Sequence, residues 1–358
     1  MDARLAIYRH IRWVVVALIL PGTAPAQTAS HGKAEMERTR IVKEEYHGWP
    51  NTYRLSNGLI EARVITDIGP RVMDFRAAGG DNLLQPRDGQ GGTGEGTYMF
   101  RGGWRLWVAP ERTATTYALD NTACAVQVID DSTIRVTGAP QPAAGIQKQI
   151  ELWLGPGESR LRITARIKNI SDHPLTYAAW SLPVLRPHGR AFVPLDVGPP
   201  TAFDAVRRLI LWSYARFDDP RYHFGNRLIE VDHARVQASL AGQTGRHDDE
   251  SKFGVDSTQG WAAYLLDGTL FLKRFPHDAT GQYPDGGATI EVYSNSELVE
   301  LENLGPLTTI APGREIVAAE DWWVFSGVTI PDGEAAASDA VQAYVARTAA
   351  LSAGQPGL

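Results

Sequence analysis

The chain holds one cysteine, Cys124, in 358 residues. It closes no internal disulfide and must stand on its buried core. The setting Ala123-Cys124-Ala125-Val126 is small and apolar, which suits a core thiol better than a nucleophile. Excess positive charge is missing too. Lys and Arg total 35 against 41 Asp and Glu, a net charge of −6, and this argues against a nucleic-acid partner. Metal motifs are lacking: there is no His-x-His, no His-Glu-x-x-His and no cysteine pair. The run Asp248-Asp249-Glu250 after His247 offers oxygen ligands for Ca²⁺, but a solvated loop explains it more simply. The Gly-x-Ser-x-Gly nucleophile elbow is absent. The glycine-rich stretch Gly89–Gly96 lacks the Lys-Ser/Thr of a phosphate loop. No metal and no cofactor are expected.

Beyond residue 26 no apolar run is long enough to cross a membrane. The first 26 residues read as a secretory signal peptide. Arg4, Arg9 and Arg12 precede the short apolar run Trp13–Leu20, and Ala24-Pro25-Ala26 is a small-x-small cleavage site. Loss of Asp2, Arg4, Arg9 and Arg12 takes the net charge from −6 to −8. The expectation is therefore a periplasmic or secreted protein that contacts no membrane after cleavage. Residues 27–45 are polar and read as a loose leader. Residues 46–358 are expected to form a single domain, because no linker divides them.

What the chain does have is strand texture. Leu161–Asn169 alternates apolar and polar residues, as a half-buried antiparallel strand does. Leu59–Thr66 and Arg71–Arg76 flank the turn Asp67-Ile68-Gly69-Pro70. Val126–Val136, Ile146–Leu154, Ala262–Phe275, Ala288–Tyr293 and Trp322–Val328 add strands. One helix is clear, over about 334–351, rich in Ala and opened by acids. The fold class is all-β, one sandwich of many antiparallel strands with a C-terminal helix.

Near the C-terminus, Leu298-Val299-Glu300-Leu301-Glu302 reads as a strand with both carboxylates on one face and Val299 and Leu301 on the other. A solvated face and a ligand site fit this pattern equally. In an extended Gly103-Trp104-Arg105-Leu106-Trp107, Arg105 and Trp107 share a face opposite Trp104 and Leu106. Aromatic rings beside a forked donor suit sugar rings. Phe271, Lys273 and Phe275 share a face, and a lysine between two phenylalanines is unusual. Lys252 is a further cation, His277 follows Pro276 in a loop, and Tyr283 and Asp285 form a turn nearby.

Several segments, in order, resemble the galactose mutarotase-like superfamily, which includes the aldose 1-epimerases. They are Leu55–Val64 with its Asn57-Gly58, Asp67–Val72, Asp81-Asn82-Leu83-Leu84, Ile167–Leu175, and Leu301-Glu302 followed by Pro312-Gly313. Gly102–Glu111, Lys252-Phe253-Gly254, Tyr283–Gly286 and Leu301–Pro306 look like an unassigned bacterial branch of it. The resemblance implies a large super-sandwich with a sugar-sized cleft on one concave sheet. It implies Glu302, helped by Glu300, as general base or acceptor for sugar hydroxyls. The place of the family's acid His falls on Trp180, which stacks on sugars but moves no proton. His277 or Lys273 would then be the acid. Arg71, Arg105, Lys252, Tyr283 and Asp285 would hold a sugar or oligosaccharide, with Trp104, Trp107 or Trp180 stacked on it. Two other readings stay open: a carbohydrate-binding protein without catalysis, and an accessory domain of polysaccharide breakdown. Arg105, Lys252 and Lys273 together point to an acidic sugar.

Overall fold

Side chains of a strand alternate between faces, so each amphipathic strand buries one row and leaves the other outside. In this chain such strands assemble two antiparallel sheets packed face to face. The computed structural model describes residues 38–87, 92–94, 96–199, 203–236 and 249–352. The expected signal peptide and most of the expected leader lie outside them. So do His247 and Asp248.

The first strands are β1 (Arg40–Tyr46), β2 (Trp49–Ser56), β3 (Ile60–Ile65), β4 (Arg71–Ala77) and β5 (Trp104–Ala109). Next come β6 (Ala125–Val128), β7 (Thr133–Thr137), β8 (Ile146–Leu154), β9 (Arg160–Asn169), β10 (Leu175–Leu185) and β11 (Arg190–Pro194). Then follow β12 (Leu209–Leu211), β13 (Tyr222–Phe224), β14 (Leu228–Asp232), β15 (Ser251–Val255) and β16 (Trp261–Leu266). The last are β17 (Thr269–Arg274), β18 (Ile290–Asn295), β19 (Leu298–Leu304), β20 (Thr308–Ile310) and β21 (Glu315–Ser326), followed by helix α1 (Glu334–Ser352). One sheet has eleven strands in the order β1-β2-β3-β4-β5-β10-β19-β18-β15-β12, with β20 paired to β10. The other has ten, in the order β13-β14-β11-β16-β17-β21-β9-β8-β7-β6.

Three sequence expectations change. Val126–Val136 is the antiparallel pair β6 and β7 rather than one strand, turned through Asp130-Asp131. Residues 40–45, expected as the end of a loose leader, belong to β1, where Ile41 pairs with Leu55 of β2. The stretch Ala262–Phe275 is not one strand but a hairpin, β16 and β17, turned at Asp267-Gly268 with positive φ at both residues. The helix lies where its composition places it.

Between the sheets, Phe75 of the eleven-stranded sheet meets Trp322 of the other, ring centroids 5.3 Å apart, and Phe271 closes edge-on against the same indole. A second apolar layer covers the outer face of the ten-stranded sheet. There Ala337, Val341 and Val345 of α1 pack with Trp261, Leu272 and Trp323. Gly102 and Gly103 lead into β5 with φ of 70° and 68°. A Cβ on Gly103 would lie 2.6 Å from the carbonyl oxygen of Val72, so only glycine lets β5 enter beside β4.

Candidate functional site

Five neighbouring strands of the eleven-stranded sheet, β5, β10, β19, β18 and β15, carry a continuous set of polar and aromatic side chains on the face turned from the core. Their inward rows are apolar: Leu106 and Val108 on β5, Val299 and Leu301 on β19, Ile290 and Val292 on β18, and Phe253 and Val255 on β15. The outward rows are Arg105 and Trp107, Trp180, Glu300 and Glu302, Glu291 and Tyr293, and Lys252. Register sets them side by side. Trp107 lies opposite Trp180, Glu291 opposite Glu302, Tyr293 opposite Glu300, and Lys252 opposite Tyr293.

Of these, Arg105, Trp107, Trp180, Glu300, Tyr293 and Lys252 line a cleft of about 700 Å³. One wall is an aromatic cluster. Trp107 meets Trp180 at 5.3 Å and Tyr117 at 4.9 Å, and Tyr98 stands edge-on to Tyr117 at 5.1 Å. Tyr214, Glu250 and Tyr293 line it as well, with Phe100 and Glu111. Tyr117 donates its hydroxyl proton to Glu111.

Two ion-pair groups hold the charges. Arg105 Nη2 donates to Glu300 Oε1 at 2.9 Å, with its guanidinium 4.1 Å from the centre of the Trp107 ring. Lys252 Nζ lies 3.0 Å from Glu302 Oε2 and 2.7 Å from Glu291 Oε2, between the rings of Trp180 and Trp212, each 4.7 Å away. Glu302 also accepts the indole proton of Trp180 at 2.8 Å. Burial works against both cations, but the adjoining carboxylates outweigh it and raise their pKa values. Burial likewise lifts Glu300 above the usual carboxylate range, against the pull of Arg105. Glu291 is lifted well above that range by burial, with Lys252 opposing and Glu302 adding to the rise. Asp285 is raised by its own burial, with Lys252 opposing.

The expected site residues divide into three groups. Arg105, Trp107, Trp180, Lys252 and Glu300 line the cleft. Glu302 lies behind the lining, fully buried, and Asp285, half-buried, lies outside the lining. The others are elsewhere. Trp104 points between the sheets, where its indole donates to Ser181 at 2.8 Å. Lys273 is fully buried on the same inner side, 3.4 Å from Glu320, and donates to the carbonyl of Leu301. Placing it in a sugar site was wrong because β17 belongs to the opposite sheet and turns Lys273 inward. Burial lowers its pKa, partly opposed by Glu320. Arg71 is buried, donates to the carbonyl of Phe100 and lies 3.5 Å from Asp120. His277 stacks on Tyr283 with ring centroids 5.3 Å apart, and Tyr283 accepts from the amide of Asp278. Neither His277 nor Tyr283 lines the cleft.

Several members were missed by sequence reasoning. Glu291 and Tyr293 alternate with Ile290 and Val292, so their shared face was readable; Trp212, which flanks Lys252, carries no such signal in its local sequence. Glu250 was weighed only for Ca²⁺, and no His/Cys/Asp/Glu group fit to hold a metal occurs among the described residues. A second cavity, about 150 Å³, lies at the inner side and is lined mainly by apolar groups such as Leu106, Ile163 and Ala318. It is too small and too dry for a sugar.

Two solved structures share this architecture. One is the Slr1438 protein from Synechocystis sp. PCC 6803, 13% identical, with a TM-score of 0.50 over 80% of this chain and 98% of that one. The other is a putative aldose 1-epimerase from Klebsiella pneumoniae subsp. pneumoniae MGH 78578, 13% identical, with a TM-score of 0.52 over 83% of each chain. The fold is the galactose mutarotase-like β super-sandwich. Residues 115–325 match the family described as Domain of unknown function (DUF4380), and the chain belongs to that family. No curated protein matches it.

Proposed function

We propose that this protein binds a carbohydrate in the cleft over β5, β10, β19, β18 and β15. The observation that carries the reading is the combination of a 700 Å³ cleft, aromatic walls and buried ion pairs at its base. Sugars present apolar C–H faces and hydroxyl edges, which match rings and fixed charges respectively. The carbohydrate-related fold supports the same reading. The basic and then apolar N-terminal stretch supports export to the periplasm or medium.

A second reading adds chemistry, namely proton transfer at or beside the anomeric carbon. Glu300 favours it, because it lines the cleft and its raised pKa suits a general base better than that of a free carboxylate. Glu302 is less suited, being locked by Trp180 and Lys252.

A thermal-shift screen against neutral, amino, N-acetylated and uronic sugars tests the binding reading, since a ligand of the native state raises Tm by mass action. A shift with one sugar class supports it, and no shift with any class removes it. NMR of anomeric exchange on that sugar then separates the readings. Exchange that Glu300→Gln abolishes supports catalysis; no acceleration over hours leaves binding alone.

A further inference from the structure

Small residues meet between the sheets, on the reverse side of the cleft strands. Ala165 of β9 and Ala318 of β21 are cross-strand partners, and Ala179 of β10 joins the core from the facing sheet. Neighbouring positions of the same inward rows carry Ile163, Ile167 and Ile316. Where the three alanines stand, the rows do not close. The cavity of about 150 Å³ remains there, with Trp104, Leu106 and Phe275 also in its lining. Exposed Pro276 and half-buried Pro306 line it too, so it reaches the surface. One end of it is polar. Glu320 is buried and accepts the hydroxyl proton of Ser181 at 2.8 Å, while Lys273 lies 3.4 Å from the same carboxylate. Asn303, the cross-strand partner of Ser181, has its Oδ1 buried without a hydrogen-bond partner among the described residues. The hydroxyl protons of Ser181 and Thr308 are committed, to Glu320 and to the carbonyl of Pro306. This end therefore offers acceptors and lacks a donor.

We propose that this cavity is a second binding site, separate from the cleft, for a compact apolar ring of about benzene size that carries one hydroxyl group. An apolar void of about 150 Å³ takes up benzene, so the volume suits a single six-membered ring. Voids in a packed interior cost stability, and an occupant restores the lost contacts. The hydroxyl supplies the donor that the polar end lacks. Glu320 keeps lone pairs beyond those used by Ser181, and Asn303 Oδ1 is the second acceptor. Charge selects against other polar groups. Lys273 already offsets Glu320, so a ligand ammonium would be a second buried cation on one carboxylate. A ligand carboxylate would face Glu320 and Asn303 Oδ1 with no donor of its own.

The test is calorimetric titration of the full chain with five probes: phenol, cyclohexanol, benzene, benzylamine and benzoate. The expected result is saturable binding of phenol and cyclohexanol, about tenfold tighter than benzene, the value of one hydrogen bond to a charged acceptor. Benzylamine and benzoate should bind weakest. Ala318→Leu fills the void and should abolish phenol binding, with a Tm at or above that of the wild type as the sign that it folds. Ala165→Val fills the void from the partner strand and takes its place if Ala318→Leu does not fold. Absence of saturable phenol binding would overturn the proposal. So would benzene, benzylamine or benzoate binding as tightly as phenol, and so would phenol binding that survives a folded filling variant.

Discussion

At the residue scale, Lys252 is the pivot of the site. Two buried carboxylates and two indoles converge on one ammonium. Removing the charge while leaving its partners strands them in a dry setting, the costly half of any buried ion pair. Lys252→Met should cost about 3–5 kcal/mol in urea unfolding. Adding Glu291→Gln and Glu302→Gln should recover much of that loss. No recovery would mean that packing, rather than charge, is what Lys252 supplies. Trp107 differs, because its ring faces the cleft and its backbone lies in a well-paired strand. Trp107→Ala should weaken sugar binding about 30-fold, the value of a central aromatic anchor of ~2 kcal/mol.

Much of this residue-level picture was legible in the chain. Alternation alone put Glu300 with Glu302 and Arg105 with Trp107, each pair on one face. Partnership was not legible. Arg105 and Glu300 are 195 positions apart, and Lys252 and Glu302 are 50 apart. Only sheet order brings them together, and no local pattern encodes which strand lies beside which. Lys273 went astray for the same reason. The alternation that puts Phe271, Lys273 and Phe275 on one face was readable, but the sheet that β17 joins, and hence the inward direction of that face, was not.

At the element scale, the entry of β5 decides whether Arg105 and Trp107 reach the cleft. The Gly102-Gly103 turn brings that strand against β4 in a conformation that side chains rarely adopt. Gly103→Ala should cost about 2–4 kcal/mol through strain and the clash with Val72, read as a lower urea midpoint. An unchanged midpoint would show that β4 and β5 yield more easily than the close approach implies. Helix α1 plays a different part. It covers Trp261, Leu272 and Trp323 on the outer face of the ten-stranded sheet, on the opposite sheet from the cleft strands. Its composition announced a helix, and its docking place depended on which sheet face was left apolar.

At the scale of the whole molecule, the sandwich tolerates several buried charges, and one of them makes its stability depend on pH. Lys148 of β8 is buried, and that burial pushes its pKa down to about 8, with Asp120 pulling the other way. A lysine lowered in the folded state favours folding only when neutral. Its contribution is present above the unfolded value of 10.5 and is lost as pH falls through about 8. Lys148→Met should therefore stabilise the chain at pH 7 by about 2–3 kcal/mol. The gain should roughly halve by about pH 9.5 as the wild-type lysine sheds its proton. Urea unfolding at both pH values checks this, and a gain independent of pH would assign the effect to packing.

The central claim is that the cleft beside Trp107 and Trp180 holds a sugar. The most direct measurement is titration of the protein with the sugar series while following tryptophan fluorescence, on the wild type and on Trp107→Ala. The account predicts a saturable change with one sugar class in the wild type, and a midpoint moved about 30-fold upward in the variant. A saturable change with the same midpoint in both proteins would place the sugar elsewhere and contradict it.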